Sequence, residues 1–137
     1  MNFSRNKKLG VSSFVLKLVN NNCPDILQLQ DGPRNDTRVN LTVVVLVIPL
    51  KNKKVEVAKS FYAVTKDFSS TSVSVMVDSP RDVSDVVLAF RYEGEMFYAR
   101  AKAKHLSPMG GGFHQLGFQM EEMISPLDYA GLSNLSF

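Results

Sequence analysis

The chain has 137 residues, 45% of them hydrophobic and 21% charged, with a formal net charge of +3 and a pI near 9.1. That length and apolar content suit one domain with one core, and the mild positive charge suits a small anionic ligand while being too weak by itself to argue for nucleic acid. No apolar run reaches the ~20 residues of a membrane-spanning helix. The basic start (Arg5, Lys7, Lys8) is followed by neither the apolar stretch nor the cleavage site of a signal peptide. With no apolar run of spanning length, no membrane insertion is expected, and a lone Cys23, which cannot form an internal disulfide, makes a reducing cytoplasm the expectation.

Residues 1–33 read as an N-terminal extension, too short to be a domain of its own. Within it, residues 11–19 (VSSFVLKLV) fit a strand or a short helix, residues 20–24 a turn, and residues 26–30 (ILQLQ) a short strand. One or two strands are therefore expected there. Gly32 and Pro33 mark a loop.

From residue 34 to 137 the signal is β. Residues 41–48 (LTVVVLVI) are nearly all apolar and β-branched, as in a strand buried on both faces. Residues 51–54 are a polar turn, after which Val55, Val57 and Lys59 alternate with Glu56 and Ala58 towards Phe61 and Tyr62. Val73, Val75 and Val77 alternate with Ser72, Ser74 and Met76, a half-buried strand. Residues 86–90 form another, and Glu93-Gly94-Glu95 is a turn. In residues 96–106 (MFYARAKAKHL), Phe97, Ala99, Ala101 and Ala103 take one face, and Tyr98, Arg100, Lys102 and Lys104 the other. Residues 107–112 (SPMGGG) read as a loop. Residues 113–120 return antiparallel, with His114, Leu116, Phe118 and Met120 on one side. Ser125 and Pro126 look like the N-cap and first residue of a short helix limited by Gly131. Short strands with turns between them imply a mainly β fold, a small antiparallel barrel, with one terminal helix able to plug an open end.

Two runs carry candidate chemistry. Arg34-Asn35-Asp36-Thr37-Arg38 is an RxxxR at the end of the loop. Each arginine offers a charged planar fork of donors that grips a phosphate, pairs with guanine O6 and N7, or stacks on a purine. In an extended chain, residues four apart share a side. Asp67-Phe68-Ser69-Ser70-Thr71-Ser72 is a DxSxx-small run. Its Asp67 can accept guanine N1–H and N2–H, and Ser69 lies on the same face if the chain is extended. The plain alternatives are a solvated loop for the first run and an ordinary turn for the second.

Both runs in this order across β sequence resemble the PilZ family, as does Phe113-His114-Gln115-Leu116-Gly117-Phe118 after a Gly-rich loop, which is similar to that family's last hairpin. The resemblance covers residues 34–132. It implies a six-stranded β-barrel with a short C-terminal helix that binds the bacterial second messenger cyclic di-GMP and relays the signal to a protein partner in motility or biofilm regulation. It implies ligand contacts from Arg34, Arg38, Asp67, Ser69, Ser72 and Gly117, with no catalytic residue, metal or cofactor. One departure stands out, Ser72 where the family pattern ends in glycine. If that position needs positive φ or close backbone approach, the serine is unfavourable, and a PilZ-like adaptor that binds a protein without nucleotide is the alternative.

Other groupings carry less. His105 and His114 flank the Gly-rich loop without a further ligand at metal spacing. Glu121-Glu122 reads as a solvated turn. Cys23 reads as an inert thiol. Gly110-Gly111-Gly112 precedes a strand, so it is not a phosphate-binding loop of the strand–loop–helix kind. Arg100, Lys102 and Lys104 beside Tyr98 could serve single-stranded nucleic acid, but one aromatic is too few, and a solvated basic sheet edge is the expected reading. The loop before Arg38 is polar, and its ordering by ligand is the expected source of a signal.

Overall fold

The computed structural model describes residues 3–22 and 38–132. Arg34, Cys23, the expected strand at 26–30 and the loop leading to Arg38 lie outside the described residues. The described chain is mainly β: an α-helix α1 (Phe3–Asn22), then β1 (Val39–Asn40), β2 (Val44–Lys51), β3 (Lys54–Val55), β4 (Phe61–Phe68), β5 (Ser72–Val77), β6 (Asp85–Tyr92), β7 (Glu95–Gly110) and β8 (Phe113–Ile124). All pairings are antiparallel. The order β4-β5-β8-β7-β6-β2 closes on itself through β2–β4, so six strands form a ring, with β1 and β3 as short additions.

The helix takes up the uncertain N-terminal stretch. Val11, Phe14, Val15, Leu18 and Val19 are all buried in the main core. Their spacing of three and four places them on one helical stripe, whereas a strand would have divided them between two faces. Of the two readings of residues 11–19, the helix is realised, and it runs on through Asn20 and Asn21, where a turn was expected, to Asn22. Phe14 packs its ring on Phe90 and Phe97 at 5.3 and 5.2 Å between centroids. The apolar plug of the ring is thus N-terminal. The expected C-terminal helix is a single 3-10 turn, Pro126–Asp128, whose Ser125 and Asp128 form a capping box.

β2 is buried on both faces, as its composition predicts. Val45 and Val47 join the inner core, while Leu46 and Ile48 join a second cluster with Val87, Ala89, Tyr98 and Leu132 on the outside. That outer cluster is covered by the segment after β8, which also packs Tyr129 there. The strand starts at Val44 rather than at residue 41, because Thr65 intervenes. Its hydroxyl donates to the Leu41 carbonyl at 2.7 Å and accepts from the Val43 N–H at 2.8 Å, so it satisfies the backbone between β1 and β2 while both pair with β4. Val57–Lys59, expected as part of a strand, is a 3-10 turn closed by the Ser60 N–H on the Val57 carbonyl. The expected loop at 107–112 is mostly strand: β7 and β8 extend as a hairpin turning at Gly111 and Gly112, both at positive φ. Pro108 is tolerated because β6 pairs with β7 only as far as Lys102, leaving that stretch of β7 an edge.

Candidate functional site

Asp67 owes its position to a register shift. On β4, Phe61, Ala63 and Thr65 point inward and are buried. Strict alternation would turn Asp67 inward and Phe68 outward. Pairing with β5 shifts between Thr65 and Asp67, leaving Lys66 as the extra residue. The phase inverts, so Phe68 enters the core and Asp67 lies opposite Ser74 on the outer face. β-bulges re-aim side chains in this way.

Arg38 directly precedes β1, whose Val39 and Asn40 pair with Phe68 and Asp67. It therefore reaches the same carboxylate. Arg38 Nε and Nη2 both donate to Asp67 Oδ1, at 2.8 and 2.5 Å. Ser74 Oγ donates to the same oxygen at 2.9 Å and receives Arg38 Nη2 at 3.1 Å. Arg38 Nη1 reaches Ser72 Oγ at 3.3 Å. The Asp67 side chain is 10% exposed and that of Arg38 43%, so the pair is half in water and holds geometry more than it contributes stability.

Ser69 follows the end of β4 and reaches the cluster from a turn. The chain turns there: the Ser69 N–H donates to the Ser72 carbonyl at 2.9 Å, the Ser72 N–H donates to Ser69 Oγ at 3.2 Å, and the two hydroxyls bond each other. The extended geometry assumed for residues 67–69 ends at the turn, and Ser69 touches the cluster only through Ser72. Ser72 itself opens β5. The non-glycine residues at positive φ among the described residues are Asn52, Lys53 and Glu93, so serine carries no left-handed backbone strain at position 72.

Arg38, Ser72 and Ser74 of this cluster border an open groove of about 400 Å³, within the size range of small-ligand sites. Arg38, Ser72 and Ser74 line one side, and Lys104, His105 and Gln115 the other, over Gly117. Lys66 Nζ donates to Gln115 Oε1 at 3.2 Å, which adds a cation at the rim. Gln119 is tied down by its Nε2, which donates to Thr71 Oγ1 at 2.9 Å. Of the residues expected to bind, Arg38, Asp67 and Ser72 are brought together, Gly117 lies in the same groove, and Ser69 supports from the turn. Ser74, Lys104 and His105 join them unforeseen. Ser74 was signalled by its alternation with Ser72 along β5, whereas the placement of His105 depends on a bulge that no periodicity reveals.

The basic stripe on β7 is differently built from the expectation. Tyr98 is 4% exposed and belongs to the outer apolar cluster. Arg100 donates to Glu122 Oε2 at 2.6 and 2.9 Å and to Glu121 Oε1 at 2.5 Å. Both glutamates lie within β8, rather than in a solvated turn, because the register shifts between Arg100 and Ala101. Burial opposes the charge on Arg100, but the hydrogen bond and charge of Glu122, with Glu121 and Tyr129, hold its guanidinium above its ordinary value. Lys7 on α1 reaches Glu122 at 3.6 Å. This network joins helix to sheet and leaves only Lys102 and Lys104 of the stripe exposed.

His105 pairs with Gly117 while His114 pairs with Val77 and Pro108. Among the described residues no group of three or more metal-binding side chains gathers, and no helix is long and apolar enough to cross a membrane. Comparison with protein-family models, with curated proteins and with solved structures found no match.

Proposed function

We propose that the chain is a binding module, rather than an enzyme, that takes up cyclic di-GMP in the cytoplasm of a bacterium and passes the signal to a protein partner. The observation that carries this reading is the convergence of Asp67 on β4, Ser72 and Ser74 on β5, and Arg38 just before β1, with Arg38, Ser72 and Ser74 lining one open groove that Lys104 also lines. A cyclic dinucleotide presents two phosphates and two base edges. Arg38 supplies forked cationic donors for phosphate or guanine, and Arg34, outside the described residues, is the other arginine of the motif. Asp67 supplies the acceptor for a guanine N1–H and N2–H.

Titration calorimetry of the full chain with cyclic di-GMP tests the reading. Binding to the native state must also raise the melting temperature, so neither heat nor a shift at high micromolar ligand sinks it. Hydrogen exchange across residues 32–40, with and without ligand, tests the relay. Equal protection in both states rules out ordering of that segment as the signal.

A second reading is favoured by one observation. Arg38 and Asp67 already pair with each other through Oδ1, so the pair is held together without a ligand. The protein would then be an adaptor whose groove is structural and whose partner is a protein. A role in binding single-stranded nucleic acid loses its support, since Tyr98 is buried and Arg100 is paired.

A further inference from the structure

One cross-strand row crosses the outer face of the ring, from Asp67 on β4 through Ser74 on β5 and Gly117 on β8 to His105 on β7. Neighbouring strands lie ~4.8 Å apart, so four strands span roughly 14 Å, the scale of a dinucleotide rather than of a lone phosphate. Both ends of the row are made by register shifts. The shift at Lys66 turns Asp67 outward. On β7, Ala99 and Ala101 are buried in the core and Ala103 packs against it, so continued alternation would turn residue 105 inward. The register shifts between Ala103 and His105, Lys104 becomes the extra residue, and His105 emerges on the outer face.

Gly117 is shaped to receive it. A Cβ on residue 117 would lie 2.3 Å from His105 Cε1, 2.7 Å from Nε2 and 2.9 Å from Nδ1. The imidazole therefore occupies the place where any other residue would carry its side chain. It is bedded on bare backbone in the groove that Arg38 and Ser74 also line, while the residue as a whole remains exposed. A point contact to phosphate would not need such a bed, and Arg38 and Lys104 already supply charge for phosphate. A ring seated on backbone and open on another side is a surface for a planar group.

We propose that His105 is an affinity-determining contact of the groove, a planar surface on which one nucleobase of the ligand stacks while Arg38 and Asp67 hold phosphate and base edge at the other end of the row. The inference rests on the reading of the groove as a cyclic-dinucleotide site. Stacking on an aromatic side chain is tolerant of base identity, so discrimination for guanine falls to Asp67, and His105 sets affinity for a flat base at that distance.

Titration of the full chain with cyclic di-GMP, comparing the wild type with His105→Ala, His105→Phe and Gly117→Ala, decides it. His105→Ala is expected to weaken binding on the order of tenfold, and His105→Phe to stay within about threefold because the plane is kept. Gly117→Ala is expected to weaken binding like His105→Ala because its methyl group expels the ring. The ligand's base protons should shift upfield by ring current in the wild type and His105→Phe but not in His105→Ala, a signature that a merely structural role would not produce. Wild-type affinity in His105→Ala, or a loss in His105→Phe equal to that in His105→Ala, overturns the role of His105 and leaves the cyclic-dinucleotide reading standing. Absence of binding by the wild type overturns both.

Discussion

Arg38 closes on Asp67 through a single carboxylate oxygen: Nε and Nη2 both donate to Oδ1, which also accepts the Ser74 hydroxyl. Oδ2 receives no hydrogen bond among the described residues. Under the cyclic di-GMP reading, Oδ2 would take the guanine edge, and Nη1, whose contact with Ser72 is long at 3.3 Å, would be the donor most easily surrendered to a phosphate. Arg38→Ala is expected to weaken cyclic di-GMP binding by ~1.5–3 kcal/mol, the range of a charge-assisted hydrogen bond. Calorimetric titration measures it, and an unchanged affinity would move the site elsewhere.

Asp67→Ala should act on the fold as well as on the ligand. It strips Arg38 and the buried Ser74 of their common acceptor. A loss of about 1–3 kcal/mol is expected, read as a lower urea midpoint at unchanged slope. Equal stability would mean that water replaces the carboxylate at no net penalty.

For Ser72→Gly, the structure reverses the sense expected from the motif. The serine sits at the start of a strand without positive φ, and its hydroxyl serves Arg38 and Ser69. Removing it should lower stability by roughly 0.5–1.5 kcal/mol and leave affinity within about threefold of wild type, each tenfold being ~1.4 kcal/mol. A large gain in affinity would instead mark the serine as an obstacle to the ligand.

Arg100→Ala tests a different region. It takes from Glu121 and Glu122 their shared ion-pair partner, and a cost of ~1–2 kcal/mol in folding is expected. Ligand affinity should be unaffected. The opposite ranking, with Arg100 mattering more to the ligand than Arg38, would place binding at the junction of α1 with the sheet.

The helix offers the largest single effect. Phe14 is buried between Phe90 and Phe97, so Phe14→Ala should destabilise by about 3–5 kcal/mol. Chemical denaturation measures it. A change under 1 kcal/mol would mean that α1 contributes little to the core.

Local pattern made much of this legible. The stripe at residues 11, 14, 15, 18 and 19 is a helical signal, and the alternation of Val73, Val75 and Val77 with Ser72 and Ser74 already put both serines on one face. The doubly apolar run in β2 announced two buried faces. What period two cannot encode is its own interruption. The clue at β4 was that Phe68 falls out of step with Phe61, Ala63 and Thr65, which a bulge reconciles and an unbroken strand does not. No such clue marked Lys104, since Lys104 and His105 are both polar. Tyr98 read as solvated because its cover, Leu132 and Tyr129, arrives from a segment far along the chain. The C-terminal cap was readable from Ser125, Pro126 and Asp128, but only a three-residue turn follows it.

The docking of α1 on β8 bears on the order in which the molecule can assemble. The helix precedes every described strand, yet its main contacts are with β8, the last of them. Until β8 emerges, the apolar stripe of the helix lacks much of its native surface, with only partners such as Phe90 and Phe97 in place. A nascent chain halted before β8 would therefore display two complementary sticky faces at once, one helical and one concave. Such a chain could insert its helix into a neighbour's unfinished ring, so domain-swapped dimers should accompany slow or interrupted synthesis.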